Sequence, residues 1–324
     1  MKLTGIRKII FITLSNIGDV VLTLPVLTGL RHNFPDAMID VVAGPRPRDI
    51  FKKDPRIRKI FVYNKQAGLK EKIDFIRELH REKYDLAVDM RTSLMPFLIG
   101  ARKRSPLVKR HKTGEKHKGV VHLNKLKELG LARGAGPGIY IDDDDRGKME
   151  ELLERHGCGK ENTLIGISPS TRGILKQWDT GCFIEVIQDL LRKGDYRIVL
   201  IGDDSQVDIS RKIRGSVKHD SVIDLTGAIN LSGLFALIGR MQVLLTGDSA
   251  ALHAASDLGI KTIALFGPTD PLEYGPRGKD DIVIRKELRC SPCKKAACAF
   301  NHECMGEIRP AEVIAALNRL LNGY

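Results

Sequence analysis

Aromatic side chains are scarce in this sequence: Phe, Trp and Tyr make up 5% of 324 residues, with a single Trp. That scarcity argues against a single-strand nucleic-acid binder, which stacks bases on aromatic rings. Long hydrophobic runs are missing as well. No window approaches the ~20 apolar residues that a membrane-spanning helix needs. The basic opening "MKLTGIRKIIFITL" carries a short apolar stretch that runs into "SNIGD" rather than a small-residue cleavage site. No targeting segment is expected, and the expected location is the cytoplasm. Acids are in deficit, 40 against 53 Lys and Arg, for a net charge of +13. An excess of that size suits an anionic partner: nucleic acid, an acidic membrane surface or a phosphorylated substrate. With 42% hydrophobic residues the chain can bury real cores, which excludes wholesale disorder.

What is present is a rhythm of strand and helix. Apolar, β-branched runs recur at 8–14, 37–43, 59–63 and 84–90, with helical patterns between them such as "LKEKIDFIRELHREK" at 69–83. The rhythm restarts at 163–168 and continues at 196–202, 242–247 and 262–267. Short continuous apolar strands alternating with amphipathic helices predict parallel sheets covered on both faces. The stretch "LARGAGPGIYIDDDD" (131–145) separates the two series and reads as a junction. After it, "DDDDRGKMEELLERHG" has the acidic first turn and closing glycine, Gly157, of a helix. Two doubly wound α/β domains are therefore expected, the first over 1–157 and the second over 158–306. A helix over 307–324 with Pro310 in its first turn completes the chain. A ligand is expected in the crevice between the domains, facing the carboxyl ends of both sheets.

The strand-end turns carry the chemistry. In "LSNIGDVVLTLPVL" (14–27), Gly18 permits a tight bend and Asp19 falls at or just before a helix start. Asp is a common N-cap. The glycines of G-x-G-x-x-G are absent here, so the turn is poorly built to admit a pyrophosphate. A lone acid among apolar neighbours suits instead a general base for a substrate hydroxyl. Pro25, in the second turn of that helix, is expected to kink it. In the second series, "PSTRGILKQW" (169–178) places Ser170, Thr171, Arg172 and Lys176 after a strand. It reads either as a phosphate cradle or as a solvated basic loop. In "LLTGDSAALHAASDLG" (244–259), Asp248 or Ser249 caps a small-residue helix whose free N–H groups favour an anion. His253 is either structural or a donor to a phosphate oxygen. "FGPTDPLEYGP" (266–276) reads as a rigid loop.

Two further features stand apart. The stretch 101–119 holds Arg102, Lys103, Arg104, Lys109, Arg110, Lys112, Lys116 and Lys118 against one acid, Glu115. It is either a solvated loop or a surface for phosphorylated lipid or the inner leaflet. Arg91, after the strand at 84–90, is a second acceptor-side candidate. Cys290, Cys293, Cys298 and Cys304 form C-x2-C-x4-C-x5-C. The opening C-x-x-C fits metal ligation, so structural zinc or an iron–sulfur cluster competes with free thiols, and disulfides rank lower in a reducing compartment.

The segments "LSNIGDVVLTLPVLTGLRHNFPDAMIDVV", "STRGILKQW", "GDSAALHAASDLGIKTIALFGPTDP" and "CSPCKKAACAFNHECM" resemble, in order and over nearly the whole chain, the family-nine glycosyltransferases. These are the ADP-heptose:lipopolysaccharide heptosyltransferases and their relatives. The resemblance implies a GT-B-like architecture, two Rossmann-like domains facing each other across a cleft, and inverting transfer without a required metal or cofactor. It assigns Asp19 as catalytic base and Ser170, Thr171 and Lys176 to the donor diphosphate. Asp248, Ser249, Ala250 and His253 match a segment usually written D-T-G-x-x-H. Here a hydroxyl is kept and the glycine is lost. Of Asp203 and Asp204, Asp204 is favoured for the ribose. The implied partners are ADP-heptose, a lipopolysaccharide core precursor and the inner membrane surface, with Arg91, Arg102, Lys103 and Arg104 on the acceptor or membrane side. A sugar-nucleotide epimerase or other transferase on the same fold is the nearest rival. A nucleic-acid-binding module would leave the order of strand-end motifs unexplained.

Overall fold

The computed structural model describes residues 3–107 and 114–322, so Lys109, Arg110 and Lys112 lie outside the described residues. The backbone divides into two compact units, one ending at Tyr140 and the other starting at Ile141.

The first unit holds five parallel strands: β1 (Lys8–Ile12), β2 (Met38–Ala43), β3 (Ile57–Val62), β4 (Leu86–Asp89) and β5 (Lys103–Arg104). They lie in the order β3-β2-β1-β4-β5. Ile9, Ile10, Phe11 and Ile12 of the central strand are fully buried, because helices cover both faces of a parallel sheet. The α-helices among the described residues of this unit are α1 (Ile17–Val21), α2 (Leu24–Asn33), α3 (Leu69–Arg81), α4 (Met95–Leu98) and α5 (Lys118–Glu128). The expected single helix after β1 is two. Pro25 does not kink it; the chain breaks at Leu22–Thr23 and Pro25 takes the first turn of α2, where its missing N–H costs nothing. The break is pinned. The Thr13 and Thr23 hydroxyls share a buried hydrogen bond of 2.8 Å, and Thr23 Oγ1 donates to the Val20 carbonyl at 2.7 Å.

One polar cluster interrupts this core. Asp40, in the middle of β2, is fully buried. It accepts from Tyr84 Oη at 2.8 Å and from Arg58 Nε at 2.8 Å. Arg58 also donates to Glu82 at 2.7 Å, and Glu82 pairs with Lys8. Burial and the Asp40 contact push the Tyr84 hydroxyl well above the usual phenol range. Hydrogen bonds from Lys8 and Arg58 pull the Glu82 carboxyl from 4.5 down to about 2. A depressed carboxyl adds stability above its ordinary value and loses it as pH falls through the folded one. The melting-temperature gap between the native chain and Glu82→Gln is therefore expected to be full above pH 4.5 and to close towards pH 2. Thermal melts across that range check it.

The second unit has six parallel strands: β6 (Thr163–Ser168), β7 (Tyr196–Leu200), β8 (Val222–Asp224), β9 (Val243–Gly247), β10 (Lys261–Phe266) and β11 (Ile282–Arg285). Their order is β11-β10-β9-β6-β7-β8. Its helices are α6 (Asp143–Arg155), α7 (Thr180–Lys193), α8 (Val207–Val217), α9 (Leu231–Arg240), α10 (Ala250–Leu258), α11 (Pro271–Tyr274), α12 (Glu303–Gly306) and α13 (Pro310–Asn322). Asp142 caps α6 by accepting from Asp144 N, and Gly157 follows the helix with φ +68°. Expected at the end of the first domain, this helix packs instead against α9 of the second unit. The expected separate terminal helix, α13, is also part of this unit. It packs on α7, and the buried Trp178 Nε1 donates to the Ile308 carbonyl at 2.9 Å just before it. Among the described residues, no helix is long and apolar enough to cross a membrane.

Candidate functional site

Each sheet has one place where the chain reverses its direction of winding, and in open α/β sheets ligands gather outside the carboxyl ends of the strands there. In the first unit that place lies between β1 and β4, and in the second between β6 and β9. Of the sequence-predicted site residues, Asp19, Arg91, the 170–176 segment and the 248–253 segment follow these four strands, whereas Asp203 and Asp204 follow β7 and the 266–276 loop follows β10.

After β1, Asn16 occupies the N-cap of α1 without making a side-chain cap. Asp19 is three residues on, in the first turn, so it is not the N-cap. Its carboxylate is half-buried, and Oδ2 accepts from Asn16 Nδ2 at 2.9 Å. Oδ1 has no partner among the described residues. After β4, the buried Asp89 organises the neighbouring loop. It accepts from Arg91 N at 2.8 Å, Ser93 N at 2.6 Å and Ser93 Oγ at 2.8 Å, which holds Thr92 at φ +59°. The result aims Arg91 across the switch point. Its Nη2 donates to Ser15 Oγ at 2.5 Å, and its guanidinium lies 5.1 Å from the Tyr63 ring centroid. Burial draws the Arg91 pKa down, yet a guanidinium stays charged at neutral pH. Arg91 therefore stands beside the Asp19 turn. The predicted Arg102 does not. It bonds Asp85 at the amino end of β4, and Lys103 and Arg104 follow on the edge strand β5. Asp89 and Tyr63 are not among the residues expected at the site; for Asp89, an acid ending an apolar strand is the available signal.

In the second unit the loop after β6 carries Ser170 and Thr171, both buried, and a 3-10 turn at Ile174–Lys176. Thr171 Oγ1 donates to the Gly173 carbonyl at 3.0 Å. Lys176 Nζ reaches across to Asp248 Oδ2 at 2.5 Å. The loop seats on the end of β9, where a Cβ at Gly247 would stand 3.0 Å from Thr171 Cγ2 and 3.3 Å from the Lys176 carbonyl. Ser249, not Asp248, caps α10: its Oγ accepts from Leu252 N at 3.4 Å and shares a hydrogen bond with Thr246 Oγ1 at 2.9 Å. Asp248 is committed to Lys176, with the buried His253 Nε2 at 3.8 Å from its other oxygen. Lys176, paired with Asp248, stands beside a helix start rich in small residues, Ala250 first, whose free N–H groups favour an anion. Of the two acids after β7, Asp203 closes a capping box with Gln206 and pairs with Arg172 at 3.7 Å. Asp204 is exposed and has no side-chain partner among the described residues.

The expected rigid loop at 266–276 contains the one-turn helix α11, capped by Asp270. The cysteine segment packs against its start, with Ser291 Oγ donating to the Gly267 carbonyl at 2.6 Å. His302 Nε2 meets the Leu175 carbonyl, so the same segment buttresses the Lys176 turn. Cys290, Cys293, Cys298 and Cys304 line one cavity of about 30 Å³, and all are free thiols. Burial, then the other three cysteines, push the Cys304 thiol up. Among the described residues, no three His, Cys, Asp or Glu side chains are grouped to hold a metal ion.

Over most of its length the chain is similar to known heptosyltransferases. A lipopolysaccharide heptosyltransferase 3 of Escherichia coli is 28% identical over 94% of this chain and 96% of its own length. A lipooligosaccharide heptosyltransferase 2 of Campylobacter jejuni is 24% identical over 94% of this chain and 95% of its own. Among solved structures, a glycosyl transferase family 9 protein from Veillonella parvula superposes with TM-score 0.83 at 24% identity, covering 100% of this chain and 99% of that one. The E. coli ADP-heptose lps heptosyltransferase II gives 0.77 at 21%, covering 98% and 99%. Both share the GT-B-like fold. The model of glycosyltransferase family 9 (heptosyltransferase) matches residues 126–303, more than half of the sequence. The chain belongs to glycosyltransferase family 9, the heptosyltransferase family.

Proposed function

We propose that this glycosyltransferase moves a heptose from ADP-heptose to a sugar hydroxyl of the lipopolysaccharide inner core, with inversion at the anomeric carbon. The observation that carries the reading is the Asp19 carboxylate, which stands at a switch point, oriented through one oxygen by Asn16 and open at the other. Asp19 Oδ1 accepts the proton of the acceptor hydroxyl as its oxygen bonds to the anomeric carbon. The bond from that carbon to the ADP oxygen breaks in the same displacement. Lys176, the hydroxyls of Ser170, Thr171 and Ser249 and the first N–H groups of α10 take up the charge on the leaving diphosphate. Asp248 presets Lys176, and the buried His253 borders the same point. Asp204 faces the ribose. Arg91, ordered by Asp89, receives an anionic group of the acceptor. No cofactor enters this scheme, and nucleic acid plays no part. The acceptor is lipid-anchored, which places the enzyme at the cytoplasmic face of the inner membrane, bound peripherally.

Incubation with ADP-heptose and a core acceptor lacking that heptose is expected to release ADP and add one heptose in the inverted configuration. Thermal stabilisation by UDP-sugars and not by ADP-heptose would overturn the donor assignment. Lys176→Ala removes a charge-assisted contact worth about 1.5–3 kcal/mol. It should raise the donor Kd by roughly 10- to 100-fold in calorimetry.

A further inference from the structure

Helix α4 is apolar on both of its faces. Met95 and the flanking Ile99 are buried and pack into the first unit's core with Phe61, Leu79 and Tyr84. Leu94, Phe97 and Leu98 follow the i, i+3, i+4 spacing of one helix face. They are 65%, 48% and 59% exposed. Single exposed apolar side chains are ordinary, whereas three on one turn make a patch that marks an interaction site. Cations border it. The Arg104 guanidinium lies 4.2 Å from the Phe97 ring centroid and has no carboxylate partner among the described residues. Lys103 precedes it on the edge strand, and the Arg102 side chain is 75% exposed even while bonded to Asp85.

This pairing of chemistries selects the occupant. A second copy is disfavoured, because a chain of net charge +13 repels itself. An apolar face rimmed by Arg and Lys suits the boundary between acyl chains and anionic headgroups, where long cationic side chains lie along apolar surface with their heads in water. We infer that α4 is a wedge that enters an anionic phospholipid bilayer. Leu94, Phe97 and Leu98 sink to the acyl boundary while Arg102, Lys103 and Arg104 meet headgroup phosphates. The inference deepens the peripheral location proposed above and rests on it only in naming a membrane. Its test uses neither donor nor acceptor, so it stands or falls apart from the transfer activity.

The experiment is co-sedimentation of the full chain with vesicles of phosphatidylglycerol and phosphatidylethanolamine, and with vesicles of phosphatidylcholine alone. The native chain should pellet with the anionic vesicles only. Leu94→Ser/Phe97→Ser/Leu98→Ser should weaken partitioning by about tenfold or more, from lost apolar burial. Arg104→Gln should weaken it by about fivefold, from one lost basic charge near an anionic surface. Leu98→Trp supplies a reading that does not depend on a loss. Because the native Trp178 is buried, a blue shift on adding anionic vesicles reports the new indole entering lipid. Four results would overturn the wedge: no pelleting of the native chain, equal pelleting with phosphatidylcholine, undiminished pelleting of the triple variant, or an unshifted indole in the bound state. Self-association in buffer that the triple variant abolishes would assign the face to a second copy instead.

Discussion

Asp19→Asn is expected to lower heptosyl transfer by about 10²–10⁴-fold, the usual contribution of a positioned general base, while donor binding stays close to native. The substitution keeps the shape of the side chain and can still accept from Asn16 Nδ2. Only the capacity to take a proton is lost. The diphosphate contacts proposed at Lys176 and the start of α10 lie in the other unit and are untouched. The signature is thus a split: kcat collapses and the Kd for ADP-heptose does not move. Turnover measured by ADP release, beside calorimetric titration of the donor, reads both. Near-native turnover would remove Asp19 from the chemistry. A large loss of donor affinity would show instead that the residue shapes the fold of its turn.

The second large effect concerns stability. Asp40→Ala should cost about 3 kcal/mol or more, the lower range for removing one partner of a buried ion pair. Two groups lose their acceptor at once. The Tyr84 hydroxyl is fully buried and has no water to turn to. Arg58 is partly solvated and keeps Glu82, which is why the lower range applies. A second change, Tyr84→Phe, removes the orphaned hydroxyl. The double variant should therefore regain part of the loss, in keeping with the cost of an unsatisfied buried donor. Urea midpoints of the three variants test this. A double variant less stable than Asp40→Ala would show that the Tyr84 hydroxyl finds another partner.

The long strands and their alternation with helices were legible because each is a continuous apolar run, as buried parallel strands require. The short edge strands were not. β5 is Lys103–Arg104 and β8 is Val222–Asp224; segments of two or three residues show no period, and only their neighbours in the sheet define them. The break between α1 and α2 hid for a similar reason. Pro25 announced a disturbance, but whether a helix bends or restarts depends on the buried Thr13–Thr23 hydrogen bond, which sequence spacing does not reveal. At the candidate site, the motif residues were readable one loop at a time. Their mutual arrangement was not. Nothing in "YDLAVDMRTS" says that Asp89 spends its carboxylate on its own loop so that Arg91 can reach Ser15, 76 residues earlier. Asp248 or Ser249 was expected to cap a helix; Ser249 does, and nothing in the spacing tells that Asp248 pairs with Lys176, 72 residues away in sequence.

The brevity of α1 sets how firmly the residue-19 carboxylate is held. A helix of five residues has almost no stability of its own. It keeps its shape because Val20 and Val21 are buried and two threonine hydroxyls clamp its end to the strand it leaves. Its order is borrowed from the sheet, so this turn should be among the first parts of the first unit to open locally while the sheet behind it stays intact. Proton acceptance and cohesion of the fold would then have separate thresholds, and the chain would fall silent before it came apart.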